Sequence, residues 1–330
     1  MSDGSGHHLR RVSFGRPVNT DRVMHVYLPI AEMPVNVLIY LGLGAAVGFL
    51  SGLFGIGGGF LMTPLLIFLG VPPAVAVGTG GAHIVASSVS GAVTQYRRNN
   101  VDVKMGLVMC LGGFIGSVIG VEIVRILRRA GQLDLVISLT YVTFLGVIGT
   151  LMMLESLNAW RKTQAGVTPT LRKSGQHSWV DGLPVKMRFH RSKLYISAIP
   201  PAFIGMFVGF LAAIMGIGGG FIVIPAMIYL LRMSTSVVVG TSLFQIVFVA
   251  ALTTILHAYQ NQTVDVILAA ILMMGGVLGA QIGAIAGEKL KGEQLRFLLA
   301  ALVLAVCLRM GYDLVVKPSD LFSFGGMGRS

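Results

Sequence analysis

Apolar residues gather into ten stretches, near 36–54, 57–70, 75–96, 105–127 and 135–154, then 196–214, 217–231, 236–257, 266–287 and 295–315. Each predicts a helix, and most are long enough to approach the ~20 apolar residues of one bilayer crossing. No Asp, Glu, Lys or Arg occurs from Met33 to Tyr96. A water-exposed domain has nowhere to hide so long an uncharged segment. The pattern predicts an all-α, polytopic membrane bundle of about eight spans.

The stretches repeat in order. "GIGGGF" at 55–60 returns at 216–221, and Pro64 returns as Pro225. "VGT" at 77–79 returns at 239–241, and "VDV" at 101–103 at 264–266. The ladder Gly112, Gly113, Gly116, Gly120 returns as Gly275, Gly276, Gly279, Gly283. Ordered matches at one nearly constant offset predict two homologous repeats with glycine-broken helices, an organisation characteristic of secondary transporters. The chain divides into a polar N-terminal extension (1–33), membrane repeat 1 (34–154), a basic cytoplasmic loop (155–194), membrane repeat 2 (195–316) and a tail (317–330). If each GIGGG region is one long broken crossing, there are four spans per half, the repeats are parallel and both termini are cytoplasmic. If it is a re-entrant hairpin, three full spans remain and the repeats are inverted. Loop Lys and Arg fall inside almost equally well in both; the eight-span form is the working expectation.

Composition agrees: 54% of the 330 residues are hydrophobic and 12% charged, against roughly 25% charged in soluble domains. The net charge of +12 would suggest nucleic acid in a soluble chain. Here the basic residues sit between apolar runs, at Arg97, Arg98 and Lys104, at Arg125, Arg128 and Arg129, at Lys289, Lys291 and Arg296, and between Arg161 and Lys193. That is the placement of the positive-inside rule, with the lipid bilayer as partner and no nucleic acid. Cys110 and Cys307 fall inside apolar runs and read as packing residues. "VKMRFHRSKLYIS" from Val185 alternates apolar and basic residues and predicts a short hairpin or an interfacial strip.

The glycine runs carry the candidate chemistry. Phe60 and Phe221 stand where a dinucleotide fingerprint needs glycine, and no GK[ST] follows, so neither nucleotide motif is present. Inside a membrane helix, Gly57, Gly58 and Gly59 with Pro64, and Gly218, Gly219 and Gly220 with Pro225, loosen the backbone and free amide N–H groups. Such groups attract anions, and paired interruptions in two halves point to a transporter's central site. The same glycines also permit close helix packing, and both readings stand. For the two four-residue glycine ladders packing is preferred.

Polar residues within the runs extend the site. Thr79 and His83, and Thr241 and Gln245, share helix faces through spacings of four. Intramembrane polar residues usually face a bundle interior, so these four are candidates to line the substrate path. His83 is also a candidate for proton coupling. No Asp or Glu lies deep in a run, which suits an anionic substrate; no buried acid–base pair or metal cluster indicates an enzyme or a cofactor.

Two copies of GxGGG followed by proline, in a duplicated membrane bundle, resemble the TauE/SafE family of sulfite and organosulfonate exporters, also described as the toluene-sulfonate uptake permease family. The resemblance covers roughly 36–315. It implies movement of a small sulfur-containing anion across the bacterial inner membrane, with the two glycine–proline motifs around the central site. The expected function is secondary transport by alternating access; an anion channel using the same glycine-rich site is the alternative.

Overall fold

A computed structural model describes residues 25–54, 57–164, 186–189, 191–192, 194–231, 233–287 and 292–316. Residues 1–24 and 317–330 of the expected extension and tail, together with Gly55, Ile56, Lys289 and Lys291, lie outside them. Two helical sets appear, each entered through a β-hairpin. Strands β1 (His25–Leu28) and β2 (Met33–Asn36) precede helices α1 (Val37–Phe54), α2 (Gly59–Phe68), α3 (Pro73–Arg97), α4 (Val103–Arg129) and α5 (Leu133–Gln164). Strands β3 (Lys186–Phe189) and β4 (Leu194–Ser197) precede α6 (Ile199–Met215), α7 (Gly220–Tyr229), α8 (Thr235–Leu256), α9 (Val266–Gly287) and α10 (Gly292–Val315). Both hairpins are antiparallel, with Leu28 opposite Met33 and Phe189 opposite Leu194. The bundle is therefore all-α as expected, with two small strand pairs outside its helices. The first pair crosses the boundary drawn after residue 33 and the second the one drawn after 194.

Local chemistry sets several ends. Pro73 opens α3 without an amide to satisfy, and Asp102 caps α4 by accepting from the Met105 amide at 3.2 Å. Beyond Leu256 the helix widens into a π-helical turn, His257–Asn261. Among the described residues six helices are long and apolar enough to cross a membrane: Val37–Phe54, Val103–Arg129, Leu133–Leu154, Ser236–Asn261, Val266–Ala286 and Phe297–Val315. Helix α3 is as long but carries more polar residues. Exposed Leu107, Leu111 and Ile115 on α4, and Leu278, Ile282 and Ile285 on α9, form apolar stripes suited to lipid.

The glycine ladders show which helices touch and in which direction. Along α4, Gly112 meets Ala202, Gly116 meets Met206 and Gly120 meets Phe210 of α6, so α4 and α6 run parallel. Along α1, Gly44 meets Leu272, Gly48 meets Gly276 and Gly52 meets Ala280 of α9, again parallel. A Cβ on Gly44 would stand 2.6 Å from the Leu272 carbonyl oxygen, closer than packing allows. Helices α3 and α8 cross the centre antiparallel, Gly81 beside Thr254 and Gly91 beside Leu243. Outside them α5 and α10 pair antiparallel, Gly149 against Val303 and Gly146 against Cys307. Each set thus packs its first helix on the fourth of the other.

Helix α2 does not continue α1. A Cβ on Gly58 would touch Ser51 of α1, whereas Gly70 beyond the end of α2 faces Met33 of β2, just ahead of α1. The chain turns at the glycines and comes back, so the single broken crossing of the eight-span expectation is not formed. Helices α1 and α3 consequently run the same way. We call the face where α3 ends the near face, and the opposite one the far face.

Candidate functional site

Both turns are made by left-handed backbone. Gly57 and Gly58 have φ of 78° and 64°, and Gly216, Gly218 and Gly219 have 67°, 70° and 79°. Side-chain-bearing L residues disfavour that region. Gly58 and Gly219 are the N-caps of α2 and α7, and neither supplies a side-chain cap; Gly59 and Gly220 are the first residues of those helices. Pro64 and Pro225 lie inside the two short helices, so the breaks come from the glycines and not the prolines.

The two turns touch. Gly59 abuts the Ile217 carbonyl, Gly218 packs on Ile84, and the Phe60 and Phe221 rings stack with centroids 5.2 Å apart. Among the described residues the turns are in direct contact, and Gly216 and Gly218 of the second turn line a small space beside it. Two spaces lie toward the ends of the α3–α8 pair. Toward the near face a cavity of about 230 Å³ is lined by Ser51, Gly52, Ser87, Thr94, Gln95 and Arg98, among others, and by no carboxylate. At its inner end Ser87 Oγ lies 3.4 Å from the Gly57 carbonyl and 3.2 Å from that of Ile84. Toward the far face lies a space of about 10 Å³, among Gly81, Ala212, Gly216, Gly218, Thr253 and His257. There His257 Nε2 is 2.9 Å from the Ala213 carbonyl.

The predicted path residues are buried but dispersed. Thr79 Oγ1 accepts the Asp265 amide at 3.0 Å near the far face, and Thr241 Oγ1 accepts the Asp102 amide at 3.0 Å near the near face. His83 Nε2 lies 3.2 Å from the Gly44 carbonyl and packs on Gly276. Gln245 sits on the other flank, beside Gly113, and neither amide atom has a hydrogen-bond partner among the described residues. His83 and Gln245 therefore look away from each other, one toward α1 and α9, the other toward α4.

Two buried carboxylates were missed. Asp102 and Asp265 are 3% and 0% exposed. Asp265 accepts from the amides of Ile267 and Leu268 at the start of α9 and from Ile30 in the β1–β2 turn. Asp102 holds the β3–β4 turn the same way, accepting from the Ser192 amide at 3.0 Å and hydroxyl at 2.7 Å. The duplicated "VDV" was their signal: an Asp directly ahead of an apolar run is an N-cap pattern. Ser51, Gln95 and Arg98 had no comparable motif; Ser87 shares the four-residue spacing of Thr79 and His83.

A family model described as "Sulfite exporter TauE/SafE" matches residues 40–310. The chain is 27% identical over 289 residues to "Probable membrane transporter protein YunE" of Bacillus subtilis (strain 168), spanning 84% of this chain and 98% of that one. It is 27% identical over 281 residues to "Probable membrane transporter protein YjnA" of the same organism, spanning 84% and 100%. A shorter match, 34% over 103 residues, links it to "Sulfite exporter TauE/SafE family protein 3" of Arabidopsis thaliana, covering 31% and 22%. No solved structure matches the chain.

Proposed function

The chain belongs to the sulfite exporter TauE/SafE family, and on that premise we propose that this multi-pass membrane protein moves a small sulfur oxyanion, sulfite or an organosulfonate, by alternating access. The two helical sets are read as inverted repeats, each with three full crossings (α3–α5 and α8–α10) and a helical pair, α1–α2 or α6–α7, that enters and returns. Antiparallel α3 and α8, and parallel packing of α1 on α9 and of α4 on α6, support this arrangement.

One observation carries the functional reading. Among the described residues the near-face cavity is lined by hydroxyls, an amide and the Arg98 guanidinium, and none of that lining is a carboxylate that would repel an anion. It ends at the glycine turn, and the corresponding space beyond is far smaller, about 10 Å³. That asymmetry fits a carrier. The near face also bears Arg97 and Lys104, and the 155–193 segment, whose eight Lys and Arg include Lys186, Arg188 and Arg191, departs from and returns to it. The positive-inside rule then places the near face in the cytoplasm, with β1–β2 on the other side. In this state the anion is loaded from the cytoplasm, against Ser51, Ser87 and Thr94 and under Arg98.

The test is a thermal-shift screen of the detergent-solubilised protein with sulfite, sulfate, sulfoacetate, taurine and thiosulfate, followed by vesicle flux of whichever stabilises it. Saturable flux that falls about tenfold in Arg98→Gln is expected, since losing one charge-assisted hydrogen bond costs about 1.5–3 kcal/mol. No stabilisation and no flux with any of the five would end the proposal. Unitary current in a planar bilayer would replace the carrier by a channel.

A further inference from the structure

Aligned through the matching motifs, the open and closed spaces are built from corresponding residues. Ser51 and Gly52 of α1 correspond to Ala212 and Ala213 of α6, and Gln95 of α3 to His257 of α8. Their linings differ in side chains, Gly91 against Thr253 and Leu243 against Gly81, and in one contact. At the closed end His257 Nε2 lies 2.9 Å from the Ala213 carbonyl, while Nδ1 lies 3.0 Å from Asn261 Nδ2. The Asn261 amide donates to Nδ1, so Nε2 carries the proton and donates it to Ala213. Arg128 of α4 in turn donates to the Asn261 carbonyl. This chain ties α8 and α4 to the last turn of α6, and the 10 Å³ left over holds at most about one water.

Ala213 is a natural anchor. Carbonyls in the last turn of a helix lack a partner within it and need an outside donor. Gly52 occupies the same place in the last turn of α1, and both Gly52 and Gln95 line the open cavity. Gln95 is turned elsewhere, its Oε1 accepting from Asn100 Nδ2 at 2.9 Å. Its own Nε2 is a donor of the kind His257 uses.

We propose that His257 and Gln95 are the paired latches of the two gates. In the state seen here, His257 holds the far gate shut. On switching, His257 releases the Ala213 carbonyl and the last turn of α6 parts from α8. Gln95 then leaves Asn100 and donates Nε2–H to the Gly52 carbonyl, closing the near gate behind the cargo. Exchange of conformations between inverted repeats makes the two events the same movement seen from opposite faces. The proposal rests on the inverted-repeat carrier reading and adds the groups that gate it.

Single cysteines at the corresponding positions test it, Ser51→Cys in the open cavity and Ala212→Cys in the closed space, in a Cys110→Ala/Cys307→Ala background. Reaction with a membrane-impermeant maleimide is followed from each side of sealed vesicles. Ser51→Cys should react from the near face and Ala212→Cys should be protected. His257→Ala should raise labelling at Ala212→Cys and lower it at Ser51→Cys, the ratio of the two changing by about fivefold, the weight of one net hydrogen bond in a two-state balance. His257→Gln, which keeps a donor, should restore the original pattern. Gln95→Ala added to His257→Ala should reverse the shift.

Labelling that rises at both sites, or a far side that stays protected in His257→Ala, would overturn the latch assignment. Should His257→Ala not yield a monodisperse protein, Gln95→Ala alone decides: protection of Ala212→Cys must deepen, and unchanged labelling refutes it. The readout needs no substrate. Reciprocal labelling in a protein that moves none of the sulfur anions would leave the latches standing and remove the substrate reading.

Discussion

Substituting Gly58 by alanine isolates what the glycine turn requires. Gly58 has φ of 64°, and holding an L residue in left-handed backbone costs about 1–2 kcal/mol. The new methyl would also lie 2.7 Å from Ser51 Cβ and 3.1 Å from the Val47 carbonyl oxygen, inside ordinary van der Waals contact. Relief requires α2 to lift from α1, and such overpacking costs about 1–3 kcal/mol. Together the loss is roughly 2–5 kcal/mol. Gly42→Ala is the control, because nothing lies within 4 Å of its added Cβ and alanine should gain up to about 1 kcal/mol in a helix. A Ser51→Gly partner mutation removes the steric part and leaves the torsional part, so the double mutant should recover about 1–3 kcal/mol relative to the additive value. Unfolding in mixed micelles of increasing denaturing detergent gives these differences directly, and flux in vesicles follows the same preparations. If Gly58→Ala unfolds at the same midpoint as Gly42→Ala, the turn does not depend on glycine in the way its geometry demands.

Other substitutions probe the framework around the cavity. Thr79→Val and Thr241→Val each strip the acceptor from a buried amide, of Asp265 and Asp102 respectively; each should cost about 1–3 kcal/mol in the same unfolding assay. Because the two sites lie at opposite faces, their effects should add. Asp265→Ala removes the acceptor for three amides and should cost at least about 2 kcal/mol, with Asp265→Asn milder because one oxygen remains. Gly116→Ala should destabilise more than Gly42→Ala, since its methyl would overlap the Met206 carbonyl on α6.

Hydropathy and repetition made much of the helical content readable: apolar runs became α1–α10, the ladders became seams, and the strip from Val185 became β3–β4. The return of α2 was not readable, because both arrangements expose similar numbers of loop Lys and Arg and proline does not report direction. Helical spacing correctly grouped Thr79 with His83 and Thr241 with Gln245 on single faces. It could not show that each face turns toward the opposite set, His83 against Gly276 and Gln245 against Gly113. The cavity escaped for a related reason. Ser51, Gln95 and Arg98 converge with Ser87 from two helices, and of these only Ser87, four residues after His83, is marked by its spacing. Asp102 and Asp265 looked like loop residues because their burial comes from a hairpin turn contributed by the other half of the chain.

That reciprocal packing bears on how the protein is made. While the first half emerges from the ribosome, α1 has a glycine-lined flank whose partner, α9, has yet to be translated, and α4 must wait for α6. Neither half has within itself the surfaces that complete it. Two genes encoding residues 1–164 and 165–330 should therefore give unstable fragments when expressed singly and a working transporter when expressed together, with each fragment acting as the other's assembly template.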